Sequence, residues 1–362
     1  MLDKTTTLKN TRSKIDIEIM RIVAIVLVVF CHLPTLESGV GMGLTVPAGW
    51  VHAMECTVCR IAVPVFFMIS GALLLGRRES IAQVWRHRVL RMLLAIFVIW
   101  SLQNIYACCF CGAKFGVRTF LNIGSNLQWQ TSFATAWFLY AYLFLMIFLP
   151  FLRILAQKMR NRHYIYLLVF QVAACCVLPC GYALLFGSFH VMNIPFVAPD
   201  NVYYGAFFML MGYFVEHRCR YTLTKRKVVG RLLAGALVCC ILTVLVLCQK
   251  DATPLAGRRL WVASASLSAL PPIAFYVVVR AMFRRRQMPS MMKGLVAAMG
   301  GSVFFVMLTE NMWRQQLAPW FPFGDWSLSA DVRAWCYACC IVFCAMLAGM
   351  FVKHVPGLKR IF

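Results

Sequence analysis

Ile15-Asp16-Ile17-Glu18-Ile19-Met20-Arg21 opens a run that continues through ten uncharged residues, Ile22 to Cys31, and ends at His32. A helix needs about 20 mostly apolar residues to cross the hydrocarbon core of a bilayer. This stretch is long enough, and it carries ionisable groups at depths where they are costly. It therefore reads as a first transmembrane helix with chemistry on it. A polar, basic stretch to Lys14 precedes it and no A-x-A-like cleavage site follows, so the helix is read as uncleaved.

Outward from this helix the same pattern repeats. Apolar runs lie near 17–36, 57–75, 90–111, 132–152, 164–186, 201–216, 230–249, 260–280, 294–314 and 333–352. The sixth is short and the eighth is interrupted at Pro271-Pro272. Composition agrees: 62% of the 362 residues are hydrophobic and 13% charged, with a mean hydropathy of +0.76. Soluble domains are about 45–50% apolar and about 25% charged, and a water-soluble fold of this length has too little interior for this much apolar side chain. The expected fold is all-α: a polytopic integral membrane protein of about ten transmembrane helices.

A formal charge of +24 would suggest nucleic acid in a soluble chain, but its distribution argues against that. Counted in alternate inter-helix segments, Lys and Arg number 27 on one side and 5 on the other. The positive-inside rule puts the rich segments, such as 76–91 and 217–231, in the cytoplasm. An even number of spans then leaves both termini cytoplasmic. Expected divisions are a cytoplasmic segment 1–15, a membrane domain 16–353 and a tail 354–362. The partner surface is a lipid bilayer, with no nucleic acid.

Most of the 17 cysteines lie in apolar runs and read as small packing residues. Cys56 and Cys59 form a CxxC at the outer end of the second helix, open to either a redox or a packing role. No Cys/His spacing resembles a zinc site, so no metal is expected.

Arg21 and His32 are 11 positions apart, within roughly 20° of three full turns and about 16 Å along the axis, so they share one helical face. Glu18 is one turn before Arg21 and can pair with it. Arg21 either snorkels to the inner head groups or joins His32 on a polar stripe facing the bundle interior. His32 is the side chain suited to proton exchange near neutral pH. In the second helix Ser70-Gly71 lets a neighbour approach closely. Beyond it, Arg88 and Arg91 lie on one helical face at the cytoplasmic mouth, for lipid head groups or for a phosphorylated ligand that guanidinium groups would bind. Glu310, deep in the ninth span, is positioned to pair with Arg314 at i,i+4.

Taken in order, these segments resemble the acyltransferase-3 family of membrane acyltransferases, and most of all the bacterial surface-polysaccharide O-acetyltransferases. Arg21 and His32 match the family's Arg and His with ten residues between. Phe66-Phe67-Met68-Ile69-Ser70-Gly71 matches its Phe-Phe-x-x-Ser-Gly element, and Arg86-His87-Arg88-Val89-Leu90-Arg91 its basic entry to the third helix. Trp137-Phe138-Leu139-Tyr140, running to Leu152-Arg153, and Tyr203 to Tyr213 match more weakly. One departure stands out: Thr309 falls where many members have a ninth-helix His, with Glu310 beside it.

The resemblance implies transfer of an acyl group, usually acetyl, from cytoplasmic acyl-CoA to a hydroxyl of a glycan or glycolipid, in the bacterial inner membrane. Acyl-CoA is then a co-substrate, with no permanently bound cofactor. His32 would act as base or acyl carrier, and Arg21 and Glu18 would hold the donor, Arg21 also facing developing oxyanion charge. Arg86, Arg88, Arg91 and Ser70 would bind the donor; Trp137 and Glu310 are further candidates. The alternatives from other classes are a transporter or exporter using the same bundle, and an assembly partner with a decayed site.

Overall fold

The computed structural model describes residues 4–33, 51, 54–55, 57–110, 137–178, 180–181, 185, 202–219, 225–247, 269–283, 288–321 and 328–356. Among these it is all-helical. The principal helices are α1 (Lys4–Cys31), α2 (Ala62–Leu74), α3 (Ile81–Val84), α4 (Leu90–Phe110), α5 (Trp137–Ile147), α6 (Leu149–Lys158), α7 (Asn161–Val172), α8 (Val202–Tyr213), α9 (Arg226–Leu247), α10 (Leu270–Phe283), α11 (Ser290–Leu317) and α12 (Leu328–Val352). Among the described residues, four helical stretches are long and apolar enough to cross a membrane, and a fifth if one bent pair counts as one span. The protein is thus a membrane protein built of helices.

α1 is the hub, packed against α2, α10, α11 and α12, which is why Met20, Ala24, Ile25 and Phe30 are completely buried. Its apolar part is interrupted by Asp16, Glu18 and Arg21, and each of these finds a partner inside the bundle. Arg280 of α10 binds Asp16 and, through Nε at 3.0 Å, Glu216 just beyond α8. That network fastens one end of three helices.

α8 lies on α2 at backbone contact. A Cβ on Gly71 would fall 1.9 Å from the Met209 carbonyl oxygen, and one on Gly212 would fall 2.0 Å from that of Met68. No side chain fits either position, so glycine sets the approach of this pair. Phe67 meets Tyr204 and Ala72 meets His217, so α2 and α8 run the same way. So do α1 and α11: Glu18 abuts Gly300 and His32 abuts Glu310.

Two expected spans differ in detail. The one near 132–152 is broken: α5 and α6 meet at 69°. Pro150, in the first turn of α6, has no N–H to donate and its ring obstructs the carbonyl four residues back. Near 260–280 the first part lies outside the described residues, and Pro271-Pro272 stand in the first turn of α10, where missing N–H groups cost nothing.

Candidate functional site

Ser80 caps α3, with Gln83 closing a reciprocal pair of hydrogen bonds at 3.2 and 2.8 Å. From α3 the chain passes through a π-helical turn, Trp85–Val89, directly into α4. A π turn inserts a residue and rotates the side chains that follow. Here His87, Arg88 and Arg91 come to line one cavity, while Arg86 is exposed and not in its lining.

That cavity has a volume of about 390 Å³. Arg21 of α1 and Ser70 of α2 also line it, with Phe66, Phe138 and Phe304 as apolar walls. Arg21 is held by Glu18 at 2.9 Å, and Glu18 fits because residue 300 is glycine: a Cβ there would lie 2.2 Å from Glu18 Oε2. The Ser70 hydroxyl donates to the Phe66 carbonyl at 2.9 Å and contacts Tyr142 Oη, also in the lining, at 3.4 Å. The lining thus sets three guanidinium groups against aromatic walls.

On α11 the lining ends at Met307, one turn before Glu310. There His32 Nδ1 meets Glu310 Oε1 at 2.5 Å. Glu310 is 5% exposed, and its Oε2 has no hydrogen-bond partner among the described residues. A carboxylate accepting at Nδ1 fixes the ring and its tautomer, leaving Nε2 for a proton from another molecule. Arg314 supports the pair from below: it donates to the His32 carbonyl, and through Nη2 to Asn311 Oδ1 at 2.8 Å.

Two expectations need correction. Glu310 pairs with His32 and not with Arg314, because Arg314 reaches past it to the end of α1. Arg21 lines the cavity and His32 does not. His32 lies in the turn after α1, its N–H bonded to the Val29 carbonyl at 3.1 Å in a tightened last turn. Some 16 Å of axial rise separate the two along α1. Arg86 does not join Arg88 and Arg91. The Trp137 side chain and Cys56 lie outside the described residues, and among the described residues no cluster is placed to hold a metal ion.

His87, Tyr142 and Glu79 were not singled out by sequence reasoning. Glu79 binds Arg88 through two hydrogen bonds, 2.9 and 2.6 Å, and Arg153 at 2.7 Å. The two guanidinium groups hold its carboxyl well below the usual range, at about 2. A lone acid after Arg77-Arg78 was the available signal.

The family model described as an acyltransferase domain, of the acyltransferase-3 type, matches residues 14–354. The chain belongs to the acyltransferase-3 family. No curated protein and no solved structure matches it. Within this family member the match covers both the cation-lined cavity and the His32–Glu310 pair.

Proposed function

We propose that this acyltransferase moves an acyl group, acetyl in the first instance, from cytoplasmic acyl-CoA to a hydroxyl of a surface or lipid-linked glycan. The observation that carries this reading is a guanidinium-lined slot whose α11 wall ends one turn from a carboxylate-held imidazole. Phosphate suits the Arg21, Arg88 and Arg91 end. The extended pantetheine arm, apolar in part and narrow, suits the aromatic walls and delivers the thioester toward His32. There the acceptor O–H gives its proton to Nε2 and its oxygen bonds to the thioester carbonyl carbon. The C–S bond then breaks and the thiolate recovers the proton as coenzyme A leaves. A positioned base of this kind contributes about 10²–10⁴-fold.

In this reading the cavity end is cytoplasmic, in keeping with the basic segments gathered there. Ten spans in the inner membrane agree with the parallel runs of α1 with α11 and of α2 with α8, since spans one and nine, and two and six, must cross in the same sense.

The test is purified protein in phospholipid with radiolabelled acetyl-CoA and added glycolipid, following free coenzyme A and labelled ester. His32→Ala is expected to insert normally and release no coenzyme A. Full release by that variant would remove His32 from the reaction.

A further inference from the structure

Arg88, at the wall of the cavity, is tied to Arg153 of α6 through Glu79. Its carboxylate takes Nε and Nη2 of Arg88, in the π-helical turn, and Nη2 of Arg153, in α6. Arg153 is 6% exposed and is itself fixed by Nε donating to the Leu74 carbonyl at the end of α2, 3.0 Å away. Arg153 is therefore a buried post set against α2 and α6, and Glu79 hangs from it. Arg88 in turn hangs from Glu79, at the wall of the cavity.

Two parallel N–H···O bonds define the plane of a guanidinium as well as its place. With Nε and Nη2 committed to Glu79, the Nη1 edge of Arg88 is left for a ligand in the slot. An arginine side chain held this way loses little further rotamer freedom when it binds. The assembly Arg153–Glu79–Arg88 keeps one net positive charge, so the carboxylate orients Arg88 without cancelling the attraction for an anion.

We propose that Glu79 is a positioning residue for the donor, aligning Arg88 so that the phosphates of coenzyme A bind a preset guanidinium. This rests on the reading of the slot as the acyl-CoA site. It adds Glu79 to the expected donor set of Arg86, Arg88, Arg91 and Ser70, and it singles out Arg88, whose guanidinium is held at Nε and Nη2.

The experiment measures binding of coenzyme A, without turnover, to the full-length protein in phospholipid nanodiscs. Glu79→Gln, Arg88→Gln and the double variant are compared with the unaltered protein. Glu79→Gln is expected to weaken coenzyme A binding about tenfold with the unfolding temperature held. The double variant should bind no more weakly than Arg88→Gln alone, because Glu79 acts only through Arg88. Arg88→Lys keeps the charge but cannot be held through two nitrogens, and is expected to lose about as much as Glu79→Gln. Unchanged or tighter binding in Glu79→Gln, losses that multiply in the double variant, or full affinity in Arg88→Lys would each overturn the proposal. Failure of the unaltered protein to bind coenzyme A would instead overturn the donor reading of the slot, and the proposal with it.

Discussion

His32 at the end of α1 and Glu310 on α11, 278 positions apart in the chain, are joined Nδ1 to Oε1 at 2.5 Å. Because Glu310 holds Nδ1, the imidazole presents Nε2. Glu310→Gln preserves the shape but offers an amide where a carboxylate stood. Turnover is expected to fall about 10²–10⁴-fold, the cost of a mis-set base, with coenzyme A binding unchanged. Steady-state kinetics beside a binding isotherm separate the two, and normal turnover in Glu310→Gln would remove the carboxylate from the mechanism.

A companion expectation concerns Thr309. Its hydroxyl donates to the Phe305 carbonyl one turn back, at 2.9 Å, and the residue is buried. It is thus turned to its own helix while its neighbour faces His32. Thr309→His is expected to leave the Glu310→Gln variant inactive. Recovered ester formation in the double variant would mean that a ninth-helix imidazole can replace the carboxylate.

Much of this was readable from residue order. Periodicity and hydropathy give a helical membrane protein, and the Arg21–His32 spacing marks α1 as the chemical helix. Ser70, Arg88 and Arg91 were marked by residue type and by the family likeness. Several features were not legible, each for a physical reason. The break at Phe148 needed the neighbours that receive α6, since a proline alone fixes where a bend is cheap and not how large it is. Glu310 was visible as a buried acid, but its partner lay across the chain, and the nearer Arg314 at helical spacing looked the better match.

Gly300 supplies a prediction about packing at the site. An added Cβ would stand 2.2 Å from Glu18 Oε2 and 2.7 Å from Glu18 Cβ, so Gly300→Ala must push Glu18 away from α11. The 2.9 Å pair with Arg21 is then disturbed. Overpacking of this kind costs about 1–3 kcal/mol. The expected result is a lower unfolding temperature together with a several-fold rise in KM for the donor. Gly294→Ala, where an added Cβ meets nothing within 4 Å, is the control on the same helix. Equal effects from the two would show that helix propensity, not the contact with Glu18, is being measured.

The cavity distinguishes two arginines that the family likeness treats alike. Arg91 lines it and Arg86 does not. Arg91→Gln is expected to raise KM for acyl-CoA about tenfold with kcat nearly constant, since a contact made equally in ground and transition states changes binding alone. Arg86→Gln should stay within about twofold. A reversal of this order, read from donor saturation curves on the two variants, would mean that the donor does not bind in this cavity.

Glu79 fixes the sign of one pH effect. Its carboxyl is held at about 2 in the folded protein by Arg88 and Arg153, against an ordinary value of 4.5. A depressed carboxylate contributes stability that is present in full above its unfolded value and is lost as pH falls through the folded one. Its side chain is 22% exposed, so water screens part of that contribution. From pH 8 down to 5 Glu79 stays ionised, and the part of coenzyme A affinity that it secures through Arg88 should be flat. The ratio of coenzyme A dissociation constants for Glu79→Gln and the unaltered protein, measured at pH 5, 6, 7 and 8, is expected to be constant. A ratio that shrank toward pH 5 would mean that Glu79 is protonated there, and that the two guanidinium groups do not hold it as the geometry requires.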